Sequence, residues 1–104
     1  MTAPLRNPAQ VKQTAQRIRA ELEKAQADAT ARYRQGTSEW FSLHRALVAR
    51  IAQALESDLS ARITDRFDGA RARIHGISAT STMGVAAALQ NWCVSVEKRL
   101  QVAA

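Results

Sequence analysis

Few side chains in this 104-residue sequence combine the type and spacing that chemistry needs. The histidines are His44 and His75, and neither has a second ligand at i+3 or i+4 that would build a helical metal site. Cys93, the single cysteine, has no Cys-x-x-Cys partner and lies between Trp92 and Val94 on an apolar stripe. A reactive thiolate needs nearby cations or a helix N-terminus, so a buried, inert thiol is expected. Most carboxylates have a base three or four positions away, as in Arg17–Glu21, Lys24–Asp28, Asp58–Arg62 and Arg62–Asp65. That spacing pairs charges on a solvated helix face and separates no two pKa values for acid–base work. Gly36, Gly69, Gly76 and Gly84 are too far apart to form a phosphate-cradling loop. These residues predict a non-enzymatic protein with no metal, no cofactor and no small-molecule substrate.

The basic residues form the more informative pattern. Fifteen Lys and Arg against nine Asp and Glu leave a net charge of +6. Residues 1–36 concentrate the excess, with seven bases and three acids. In a helical reading of this stretch, Lys12 and Arg19 flank one side of an apolar seam, and Arg17 and Lys24 form a second row. Further on, Arg62, Arg66 and Arg73 share a helical face at spacings of four and seven, with Asp58, Asp65 and Asp68 close by in sequence. Guanidinium forks fit phosphate oxygens, and rows of them can follow a nucleic-acid backbone. The nearby acids count against the second row, so helix one is the favoured polyanion surface. The expected ligand is DNA or RNA, bound with low sequence specificity because phosphate contacts position without specifying.

The elements that must carry these residues read as helices. Pro4 and Pro8 predict an extended leader over residues 1–7. Asn7 can cap a helix starting at Pro8, along which Val11, Ala15, Ile18, Leu22, Ala25 and Ala29 form a coiled-coil-like seam that Gly36 terminates. Thr37 and Ser38 can cap a second helix with the stripe Trp40, Leu43, Leu47, Val48, Ile51 and Leu55. Leu59, Ile63, Phe67, Ala70 and Ile74 form a third stripe that cannot share one straight helix face with the second. Residues 38–75 therefore either kink as one helix or break, at Ser57-Asp58 or at the rival Asp68-Gly69. Gly76 ends that segment and places His75 in its last turn, where an imidazolium would complement the helix dipole. Ser78 to Thr82 supply caps for a last helix bearing Val85, Leu89, Trp92, Cys93, Val96 and Leu100. Serines and threonines ahead of a helix resemble a helix-turn-helix in rhythm, but Met83 to Leu89 offer no side chain that reads bases. The prediction is a single all-α domain over residues 1–104, a three- or four-helix antiparallel bundle. Ile18, Leu22, Leu47, Ile51, Leu89 and Val96 should be buried together at its centre.

Hydrophobic residues make up 46% of the chain but aromatics only 5%, so alanine lines much of a thin core. A core of that kind favours a homo-oligomer or a helical protein partner. No apolar run is long enough to span a membrane, and a lone cysteine fits a reducing cytoplasm. The length and early tryptophan are similar to WXG100 proteins, but the defining Trp-x-Gly is absent; the sequence reads Gly36-Thr-Ser-Glu-Trp40. Alanine- and glutamine-rich helices with Leu89-Gln-Asn-Trp92 resemble phasins, a resemblance that implies a granule-coat structural protein. Beside the nucleic-acid reading stands a protein-binding module, such as a phage- or plasmid-type inhibitor or an assembly subunit.

Overall fold

Asn7 accepts a hydrogen bond from the Gln10 amide at 3.3 Å, and Pro8 follows in the first helical position. A side-chain acceptor at that point satisfies an amide the helix leaves free, and proline removes another. The helix so started, α1, runs Pro8–Arg32 and buries all six residues of its seam together with Thr14. The computed structural model describes residues 7–103; of the leader expected over 1–7, all but Asn7 lies outside the described residues. Thr37 caps α2, Ser38–Leu59, by accepting from the Trp40 amide at 3.2 Å. The Trp40 indole N–H donates to Thr30 Oγ1 at 3.1 Å and ties the start of α2 back to α1.

After Leu59 the chain leaves helix through Ser60, whose φ is 55°, and enters a three-stranded antiparallel sheet. The strands are β1, Arg62–Arg66; β2, Gly69–Ile74; and β3, Ile77–Ser81, in the order β1-β2-β3. The fold is therefore α+β, and the all-α bundle predicted from the sequence is corrected. Two periods fit this stretch. Leu59, Ile63, Phe67, Ala70 and Ile74 satisfy a helical spacing, while Ala70-Arg-Ala-Arg-Ile74 and Ile77-Ser-Ala-Thr alternate in twos. The turns decide for the sheet. His75 and Gly76, both at positive φ (54° and 76°), join Ile74 to its partner Ile77 as a type I′ hairpin turn requires. Phe67-Asp68 forms the other turn, between the paired Arg66 and Gly69. A Cβ on Gly69 would stand 3.2 Å from the Ser81 carbonyl oxygen, so glycine lets the end of β3 pass close by. Phe67, placed on an apolar stripe by the helical reading, projects fully into solvent at this tip. Ser78 to Ser81 are strand, not the caps of a helix-turn-helix.

The last helix, α3, spans Val85–Ala103. It lies across the inner face of the sheet, and α1 packs against both α2 and α3. Trp92 sits at the centre, without solvent exposure, and its indole N–H donates to the carbonyls of Ile74 and Ile77 at 3.3 and 3.1 Å. One side chain of α3 thereby holds both ends of the His75-Gly76 turn. Asn91 donates to the Thr80 carbonyl at 2.9 Å and fastens β3 to the same helix. The core joins Ile18, Leu22, Leu55, Ile74, Leu89, Trp92 and Val96, with small Ala70 and Ala72 letting α3 approach β2. Of the residues expected at its centre, Ile51 packs only partly buried against this cluster, and Leu47 is half-buried outside it. Val48 and Leu55 carry the inward face of α2 instead.

Candidate nucleic-acid interface

Alternation in the strands sorts side chains between two faces. Ala70, Ala72, Ile74 and Ile77 point inward and are buried. Arg62, Thr64 and Arg66 of β1, Arg71 and Arg73 of β2, and Ser78 and Thr80 of β3 take the opposite parity and are exposed. Arg73 lies directly across from Arg62 on one side and Ser78 on the other, and Arg71 lies between Thr64 and Thr80. Same-face neighbours along a strand are about 7 Å apart, and adjacent strands about 5 Å. Four guanidinium groups thus rise from a patch roughly 14 Å long and two strands wide, with three hydroxyls beside them.

No carboxylate shares that face. Asp65 has inward parity, and Asp68 lies in the hairpin turn. Among the described residues, none of these four arginines has a carboxylate within ion-pair distance. Like charges directly opposite on a sheet are destabilising by a fraction of a kcal/mol or more, and Arg62 faces Arg73. Folding gains nothing from this juxtaposition.

The helix-one residues are placed differently. Arg17 donates to Asp58 at 2.8 Å and to Glu21 at 3.3 Å, and Arg19 holds Glu97 through two hydrogen bonds of 2.6 and 3.2 Å. These bonds, to Asp58 and Glu97 first, raise both guanidinium pKa values further above their ordinary range. Lys12 and Lys24 stay exposed on α1. Two of the four bases predicted to make helix one a polyanion surface are therefore engaged by carboxylates of α2 and α3. Asp58, close to the Arg62 row in sequence, pairs with Arg17 of α1 instead. Arg62, Arg66 and Arg73 do share a face, as predicted, but it belongs to a sheet and not to a helix.

Arg71 was missed. A helical reading sets it about 180° from Arg62, whereas the strand puts both on one side. The signal available was the alternation Ala70-Arg-Ala-Arg-Ile74.

Cys93, His44 and His75 each contact neighbouring side chains or backbone of the fold. Cys93 is buried, donates to the Ala15 carbonyl at 3.6 Å, and has its thiol pKa pushed up to about 11 by burial. His44 stacks on Trp40 with centroids 4.8 Å apart. His75 occupies the β2–β3 turn and not a helix end. Thr14 donates to the Gln10 carbonyl, so at 2.9 Å its hydroxyl accepts from His75 Nε2–H. Burial lowers the His75 pKa. No group of metal-ligating side chains occurs among the described residues. A separate groove of about 700 Å3 opens between α2, β1 and the start of α3, where Phe41 and Met83 are exposed at 55% and 84%. Comparison of the chain with protein-family models, curated proteins and solved structures found no match.

Proposed function

We propose that this chain is a non-enzymatic binding protein that grips the phosphate backbone of nucleic acid, with low sequence specificity, through Arg62, Arg66, Arg71 and Arg73. One observation carries the reading: four arginines share an exposed sheet face with no opposing carboxylate. A face that only had to stay solvated could carry charge of either sign. This one carries cations alone, and the arginine fork binds phosphate oxygens in pairs. Thr64, Ser78 and Thr80 add hydroxyl donors of the kind that commonly reach backbone oxygens.

Fluorescence anisotropy with labelled oligonucleotides across a salt series tests the reading. Four phosphate contacts give a log–log salt slope of about −3 to −4. Changing Arg71 and Arg73 together to Gln should flatten it by about 1.5–2 units. The paired variant Arg17→Gln, Arg19→Gln should leave the slope alone. Loss of slope in the α1 variant, with none in the sheet variant, would return the interface to helix one.

Self-association is a second reading, favoured by the α2 groove. The same surface carries a concavity and two projecting apolar side chains, Phe41 and Met83. A second copy presenting that pair would fill the groove reciprocally, as a two-fold interface requires. Phe41→Ser should then shift the assembly towards monomer in sedimentation velocity; a wild-type monomer at every concentration removes this reading.

A further inference from the structure

We propose that Phe67 is a stacking residue for an unpaired nucleobase, placed by the β1–β2 hairpin beside the arginine face. This rests on the reading of that face as a phosphate-binding surface and adds a contact that phosphate cannot supply. Among the described residues Phe67 is the most exposed large apolar side chain, at 106% of its reference area. It occupies a two-residue turn whose two central residues avoid positive φ, a geometry that accepts most residue types and asks for no particular side chain. Neither fold nor turn geometry accounts for a phenyl ring there. Its neighbour Arg66 is the outermost arginine of the face. A strand whose phosphates lie along Arg62, Arg73, Arg71 and Arg66 would leave the sheet at this tip, with its next base within reach of the ring.

The outer face of the sheet carries no aromatic residue, so Phe67 supplies a single stacking platform. That favours a single strand or a bulge, whose bases are already unstacked, over a duplex that must first be opened. An anionic lipid surface could also attract arginines and a projecting phenyl ring. Asp68 argues against it. Sharing the tip with Phe67, this carboxylate would be driven among headgroups of like charge, whereas beside a base it can accept from an exocyclic amine.

The test compares the wild type, Phe67→Ala, Phe67→Trp and the Arg71/Arg73 double Gln variant against three probes. The probes are a labelled single-stranded oligonucleotide, a labelled duplex, and phosphatidylserine–phosphatidylcholine vesicles. Phe67→Ala should weaken single-strand binding roughly 5- to 100-fold, the range for losing one stacked base, with the salt slope unchanged. Phe67→Trp should retain affinity, and its exposed indole emission should change on binding. Duplex binding should respond less. Unchanged single-strand affinity in Phe67→Ala, alongside weakened binding in the arginine variant, overturns the stacking role and leaves the arginine reading intact. No oligonucleotide binding at low salt overturns both, and vesicle binding in its place would assign the tip to lipid. Circular dichroism of each variant checks that the fold persists, as full exposure of Phe67 predicts.

Discussion

Replacing Trp92 by Phe should show how far one side chain holds the arginine face in place. Trp92 has no solvent exposure, and its indole N–H spans the Ile74 and Ile77 carbonyls on either side of the hairpin turn. Phenylalanine keeps an aromatic ring but loses the donor. The lost hydrogen bonding costs about 0.5–1.5 kcal/mol net. Trimming the larger ring in a closed core leaves a void that adds about 1.5–2.5 kcal/mol, within the range for large-to-small core changes. The sum, about 2–4 kcal/mol, is a large share of the 5–15 kcal/mol typical of a domain. With a urea dependence of about 1–2 kcal/mol per molar, the unfolding midpoint should fall by 1 M or more. Amide exchange should rise most in β2 and β3, which the indole fastens to α3. A midpoint within about 0.3 M of the wild type, with no added exchange in those strands, would refute the clamp.

His75 predicts a pH effect. Its pKa is lowered by burial, so below about 6.5 the unfolded chain binds more protons than the folded one. Stability is then complete above that pH and declines as the pH falls through the folded pKa. Melting temperatures should drop on acidification, and less so in His75→Asn, since Asn tolerates the positive φ of this turn; equal pH profiles would contradict this. Cys93, with its pKa raised to about 11, should resist a thiol reagent until the protein is unfolded, and rapid native labelling would contradict its burial.

Helix α1 is legible in the sequence because cap, proline and seam all agree on one period, and its seam is buried residue for residue. The sheet is not, because its largest apolar residues also match a helical spacing. Phe67, one of the five that made that match, never enters the core. The residues that do line the inner face of β2 include Ala70 and Ala72, too small to dominate a hydrophobic pattern. Of the two breaks the sequence offers, Ser57-Asp58 lies inside the last turn of α2, and Asp68-Gly69 straddles the end of the Phe67-Asp68 turn and the start of β2. His75-Gly76 is a hairpin turn and not a helix end. The electrostatics failed for a related reason. Counting acids near Arg62 in sequence assumes that neighbours along the chain are partners in space. Asp58 instead reaches Arg17, and Arg19 finds Glu97 across a sequence separation of 78 residues. Long-range pairing of this kind neutralised part of the favoured row and left the other without carboxylates.

Nucleic acid should touch this protein on the outer face of its sheet. Amide chemical-shift mapping of the isotope-labelled chain, titrated at low salt with a short single-stranded oligonucleotide, reads that surface residue by residue. The predicted perturbations centre on Arg62, Thr64 and Arg66, on Arg71 and Arg73, on Ser78 and Thr80, and on the Phe67-Asp68 tip. Perturbations confined to Lys12–Lys24 of α1, or none at saturating oligonucleotide, would contradict the assignment of the sheet face.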